Sequence, residues 1–229
     1  MMKTFARSKF VAWMMAILLA TPALTAIAEE TSPEAIDVRW VMAGMARDAD
    51  GSRPVTVPPK ARLRTGDKLK MYLKTRHPCY FYLFHQGPDS RLTLLFPPSL
   101  PTKALNGGAR MTIPAEGQWF ELDEQTGTET FHVLVSATPL RSIETLYRDY
   151  QQQGSENDTA YMRLLAAIER LQLKQRPLTS KAERPISIGG TIRGAGDKDK
   201  ASEESRLDHL AEDIAATNVF CRTYTIEHH

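Results

Sequence analysis

From residue 35 to residue 137, apolar and polar positions alternate with a period of two, the spacing of residues on the two sides of a pleated strand. Ile36, Val38, Trp40 and Met42 alternate with Asp37, Arg39 and Val41, which predicts a first strand. The stretch 44–60 carries Pro54 and Pro58-Pro59 and reads as a loop. Thr65-Gly66-Asp67 then turns the chain into a second strand. Its Leu69, Met71 and Leu73 point inward while Lys68, Lys70, Tyr72 and Lys74 face water, the pattern of a half-buried antiparallel strand. Lysines in that pattern also blunt an exposed strand against edge-to-edge pairing, so Lys68, Lys70 and Lys74 are expected on the surface.

Residues 79–86, CYFYLFHQ, are apolar on both faces and predict a central strand. Gly87-Pro88-Asp89-Ser90 is a four-residue hairpin loop, and residues 91–96 return as its partner. After Pro97-Pro98, Pro101 and Asn106-Gly107-Gly108, further strands are expected at 110–113, 118–122 and 130–137, with a turn over 123–128. Short strands of this kind, about seven or eight in all, predict an antiparallel sandwich or an open barrel.

The period changes at Thr138. Thr138-Pro139 sets an N-cap before a proline at the first helical position, and Leu140, Ile143, Tyr147 and Tyr150 then share one helix face. A second helix is expected over 158–175, with Tyr161, Leu164, Leu165, Ile168 and Leu171 as its buried stripe and Pro177 barring extension. Residues 178–201 are rich in Gly, Lys and Asp and read as a flexible loop. Leu207, Leu210 and Ile214 predict a third helix over 202–217, and alternation resumes at 219–226. The expected architecture is therefore α+β and β-rich. A sandwich core spans 29–137, a helical insertion of three helices spans 138–217, and a final strand in 218–229 returns to the core.

Several motifs between Leu63 and Leu140 resemble those of a bacterial family, the domain of unknown function 4384. They are Thr65-Gly66-Asp67 before a strand, the aromatic run 80–84, a Gly-Pro-Asp turn, Leu95-Phe96-Pro97, Ile113-Pro114 followed by Phe120-Glu121-Leu122, Gly127-x-Glu129, Ser136 and Pro139-Leu140. The resemblance implies a β-rich accessory domain of secreted or envelope proteins, elsewhere joined to peptidase-like or kinase domains. It brings no catalytic residues with it, and it is silent over the helical stretch.

The N-terminus changes the picture of where this sandwich works. Lys3, Arg7 and Lys9 precede the apolar run 10–20, FVAWMMAILLA, and Pro22 and Ala26-Ile27-Ala28 follow. A basic, an apolar and a small-residue segment in that order predict a secretory signal, residues 1–28, cleaved after Ala28. The mature protein is then periplasmic or extracellular, with no stable membrane anchor. Losing three basic residues turns the whole-chain net charge of +2 into −1, which leaves no field to gather nucleic acid. The only two cysteines, Cys79 and Cys221, both fall in the exported part, and an oxidising compartment favours a disulfide between them.

Candidate chemistry is sparse. His77 and Cys79 share strand parity, but the apolar run after Cys79 opposes a thiolate nucleophile. His77, His85, His132, His209, His228 and His229 form no zinc-binding spacing, although His85 and Asp89 face each other across a hairpin. Gly189-Gly190 and Gly194-x-Gly196 lack the helix start of a phosphate loop, Ser136 lacks a nucleophile elbow, and Asp123-Glu124 sit in a turn. No catalytic residue, metal or cofactor is expected. One surface is a candidate: Tyr72, Tyr80 and Tyr82 with Pro97 and Pro98 as an aromatic, proline-edged patch for a peptide or glycan. The expected role is an exported, non-catalytic binding or assembly module whose partner is an envelope protein or glycan. An envelope hydrolase, or a regulator of an associated peptidase, is the alternative.

Overall fold

The computed structural model describes residues 35–48, 51–153, 158–174 and 202–229. The expected signal segment 1–28 and flexible loop 178–201 lie outside the described residues. In chain order the elements are β1 (Ala35–Asp48), β2 (Gly51–Thr56), β3 (Lys60–Leu63), β4 (Lys68–Thr75), β5 (Tyr80–Gln86), β6 (Leu92–Phe96), β7 (Arg110–Ile113), β8 (Phe120–Glu121) and β9 (Gly127–Ser136). There follow α1 (Arg141–Gln153), α2 (Asp158–Lys174), α3 (Glu203–Leu210), β10 (Glu212–Thr217) and β11 (Val219–His228).

The strands form two sheets, as the alternation predicts. One has the order β10-β1-β4-β7, with β2 also on β1 and β8 on β4, and the other has the order β3-β11-β9-β5-β6. Side chains of one parity from each sheet meet between them. Trp40, Met42, Leu69, Met71 and Leu73 come from the first sheet, and Phe81, Leu83, Val133, Val135 and Ile226 from the second. The Trp40 indole lies 5.6 Å from the Phe81 ring, and its Nε1 donates to Tyr224 Oη at 2.8 Å. Trp40 thus joins the two sheets through both packing and a satisfied polar group.

The opposite parity does not face water, because helices cover both outer faces. Tyr82, Phe84, Leu134 and Cys221 on the second sheet pack under Ile143, Tyr147 and Tyr150 of α1 and Leu164 and Ile168 of α2. Val41, Ala43 and Tyr72 on the first sheet pack under Leu207 of α3. The helices therefore complete the layers of the sandwich.

Three sequence expectations need correction. Residues 44–60 are mostly strand: β1 runs on to Asp48, and β2 returns beside it with Gly44 opposite Val55 and Met45 opposite Pro54. Proline is tolerated there because β2 is an edge strand. The third helix stops at Leu210, since Ala211 is extended (φ −70, ψ 132), and Glu212–Thr217 is β10. The Leu207-Leu210-Ile214 spacing misleads because these residues serve two faces: Leu207 lies outside the first sheet and Ile214 between the sheets. Finally, β4 is neither an edge nor half-exposed. It lies between β1 and β7, with Tyr72 1% and Lys70 0% exposed.

Lys70 survives burial because α3 begins with acids. Its Nζ donates to Glu203 Oε2 at 2.7 Å and sits 5.1 Å from the centre of the Trp119 ring. Glu203 also accepts from Trp119 Nε1 (2.7 Å) and Gly117 N (3.3 Å). Burial acts to raise the Glu203 carboxyl, but these donors outweigh it and hold the group below the usual carboxylate range. Further along α3, Asp208 takes Tyr72 Oη and Arg39 Nη1, both at 2.9 Å.

Removing one partner of a buried pair leaves an uncompensated charge, whereas replacing both by apolar groups does not. Glu203→Ala should therefore lower unfolding stability in urea by about 3 kcal/mol, and the double variant Lys70→Met with Glu203→Leu by clearly less. Equal losses would show that the apolar contacts of α3, and not the ion pair, hold this layer.

Candidate functional site

A concavity opens at one end of the sandwich. It is a groove of about 910 Å³, lined by Gly44–Ala46 of β1, by residues 55–58, by β3, by the turn Thr65-Gly66-Asp67 and by Lys68 and Glu121. The turn is locked by its own residues. Gly66 has φ +84, a left-handed conformation that glycine adopts without strain. Asp67 Oδ2 accepts from Arg64 N at 2.7 Å, and Asp67 N donates back to Arg64 O at 2.9 Å.

One wall of the groove is β3, which ends its sheet and pairs in parallel with β11. Pro59 O accepts from Thr225 N, and Leu63 O accepts from His229 N. In a parallel pair alternate residues bond to one neighbour, so Ala61 and Leu63 turn their backbone groups toward β11. Lys60 and Arg62 turn theirs away, and among the described residues neither their amides nor their carbonyls have a partner. Ala61 and Leu63 pack against the inter-sheet core, while the Lys60 and Arg62 side chains are exposed. The Arg62 guanidinium reaches Glu227 at 2.6 Å, and Lys68 reaches Glu121 at 3.2 Å.

Beneath the turn lies a polar chain. Thr65 Oγ1 is 3.1 Å from His228 Nε2, and His228 Nδ1 faces Glu129 Oε1 at 3.9 Å. The other Glu129 oxygen bonds His85 Nε2. Glu129 and His228 are 7% and 3% exposed, so this chain lies inside the sandwich end. At 3.9 Å the contact of His228 Nδ1 with Glu129 is not a hydrogen bond, so Nδ1 is buried without a hydrogen-bond partner among the described residues, and the Thr65 hydroxyl is the hydrogen-bond partner of the His228 ring. Gly127 closes the same end: a side chain there would strike Pro88 Cβ at 2.8 Å. Motifs far apart in sequence, Thr65-Gly66-Asp67, the Gly-Pro-Asp turn and Gly127-x-Glu129, thus meet at one place.

The residues singled out from sequence do not. Tyr72 lies under α3 outside the first sheet, and Tyr82 lies under α1 outside the second, so the two are on opposite sides of the sandwich. Both hydroxyls hold helices: Tyr72 donates to Asp208, and Tyr82 donates to Glu144 Oε1 at 2.9 Å while accepting Leu140 N at 3.0 Å. Burial, helped by these carboxylates, pushes both phenols up. Tyr80 is half-buried beside Tyr82, Pro97 is buried and only Pro98 is exposed. The five residues make no common patch.

Cys79 and Cys221 are both buried and are not joined to each other. Cys79 faces the inter-sheet core and Cys221 the helix layer, and β9 lies between β5 and β11. Opposite faces and two strand spacings, roughly 9–10 Å, exceed what a disulfide spans. Burial raises the Cys79 thiol to about 11 and the Cys221 thiol to about 12. Among the described residues no group of three or more His, Cys, Asp or Glu side chains is placed to hold a metal, and no helix is long and apolar enough to cross a membrane.

The prolines of 44–60 read as a loop and so hide the groove, although Ala61 and Leu63 alternating with Lys60 and Arg62 carry a strand signal. The family described as Domain of unknown function (DUF4384) matches residues 62–139. That segment supplies β4, β7 and β8 to one sheet and β5, β6 and β9 to the other. No curated protein and no solved structure matches the chain.

Thiols with these ionisations react through a scarce thiolate. An aromatic disulfide reagent at pH 8 should label the native, unreduced protein at least ~100-fold more slowly than an exposed cysteine, then titrate both thiols on unfolding. Absence of titratable thiol after unfolding would mean that a bridge forms.

Proposed function

We propose that this chain is an exported, non-catalytic accessory module of the bacterial envelope, acting by binding, with the groove beside β3 as its seat. The observation that carries the reading is the open groove itself, walled by a strand whose outward backbone groups have no partner among the described residues. Supporting it, both thiols are raised far above a nucleophile's range, and the N-terminal segment 1–28 has the order of an export signal. Concave sites with a few oriented polar groups are the usual seats of ligands.

One observation favours an envelope hydrolase instead. Thr65, His228 and Glu129 stand in the order hydroxyl, imidazole, carboxylate at the groove. Against it, the 3.9 Å imidazole–carboxylate gap is long for an orienting bond, and His85 holds the other oxygen. A fluorophosphonate probe that labels the protein at Thr65 would support the hydrolase.

The binding role is checked with a photo-crosslinking residue placed at Thr56, on the groove, or at Leu173, exposed on α2, in intact cells. The reading expects envelope-fraction protein beginning at Glu29, with defined adducts from Thr56 and none from Leu173. Equal adducts at both positions, none at Thr56, or a precursor kept in the cytoplasm would contradict it.

A further inference from the structure

The two outer edges of the second sheet are treated differently. At β6 the outward amides are sealed: Leu92 N donates to Tyr150 Oη at 3.2 Å, and Leu94 N donates to Tyr147 Oη at 3.0 Å. The α1 tyrosines thereby do what protective devices do at natural sheet edges. At the opposite edge, β3 has no such cover among the described residues, and its Lys60 and Arg62 backbone groups face the groove. A strand edge with unmet donors and acceptors is a template for an added strand.

The side chains on β3 say which strand. Ala61 and Leu63 sit on the core side, so residues beside them in an added strand continue the apolar layer. Lys60 and Arg62 stand on the solvent side, where neighbouring positions of the added strand come within side-chain reach. Of the acids lining the groove, Asp67 is committed to the Arg64 amide and Glu121 to Lys68, while the Lys60 ammonium has no ion pair among the described residues. A second copy of this chain is a poor occupant, since two β3 edges would set Lys60 and Arg62 against their own kind.

We propose that the β3 edge binds an extended peptide segment in which small apolar and acidic residues alternate, added as a further strand of the second sheet. This rests on the binding role proposed for the groove and names its partner's chemistry. Backbone bonds to Lys60 and Arg62 supply register, the apolar positions extend the core over Ala61 and Leu63, and the acidic positions meet Lys60 and compete with Glu227 for the exposed Arg62 guanidinium.

Fluorescence anisotropy on the full mature chain tests this with a labelled peptide of alternating valine and glutamate. The expected result is saturable binding, at least about tenfold tighter than for the valine–lysine counterpart. N-methylation of alternate amides should abolish binding in one register and spare it in the other, because only one set of amides faces β3. Lys60→Glu with Arg62→Glu should reverse the preference between the two peptides, which a misfolded variant would not do. No binding, equal effects of both methylated registers, or an unreversed preference overturns strand addition. If Thr56 still crosslinks in cells after any of these, the groove binds by another mode and only the strand proposal is lost.

Discussion

The second sheet is apolar on both faces, and that constraint fixes most of the molecule. Along β5, Phe81 and Leu83 point to the inter-sheet core while Tyr82 and Phe84 point the other way, and all four are at most 1% exposed. A sheet of this kind needs a layer on each side. The first sheet supplies one and the α1–α2 pair the other. Once α1 is placed, its aromatic stripe also meets polar needs. Tyr147 packs edge-on against Phe84 at 5.5 Å, and its hydroxyl takes the Leu94 amide. Glu144, fully buried, gathers Tyr82 Oη and Thr102 N, so the helix start, the central strand and the proline-rich loop are tied at one carboxylate. The outer layer of the first sheet is held differently, through charge: Glu203 and Asp208 of α3 meet Lys70, Arg39 and Tyr72.

This arrangement bears on what the family-matching segment is. Residues 62–139 hold strands of both sheets, but β1 lies between β10 and β4, and β11 lies between β3 and β9. Both of these long strands fall outside the match. In this chain the segment is therefore one part of a sandwich completed by flanking sequence, and the polar chain at its end is completed the same way, since Thr65 and Glu129 lie inside the match and His228 outside it.

Period-two alternation suffices for β1, β4 and β11, and the run apolar on both faces suffices for β5, because nearly all their inward residues are apolar; the inward polar residues Glu129 of β9 and His228 of β11 sit only at the sandwich end. The α1 stripe Ile143, Tyr147 and Tyr150 was equally plain. What stayed hidden depends on tertiary placement. A lysine on a strand reads as surface, and only the acid-headed α3, more than a hundred residues away, makes Lys70 a buried residue. Tyrosines next to prolines read as a patch, whereas parity sends Tyr72 and Tyr82 to opposite sides. Two cysteines behind an expected export signal read as a bridge until the strand order puts β9 between them and parity turns them apart. The groove needed β3, a four-residue strand whose parallel partner lies at the far end of the chain; nothing local announces such a pairing.

The proposed binding surface depends on β3 being bonded on one side and open on the other. Residue-resolved amide hydrogen exchange of the unliganded protein measures this directly. The Ala61 and Leu63 amides should be protected by β11, while those of Lys60 and Arg62 exchange near the rate of an unstructured chain. Uniform protection along all four residues would mean that something already covers this edge, and the open groove could not be the working surface.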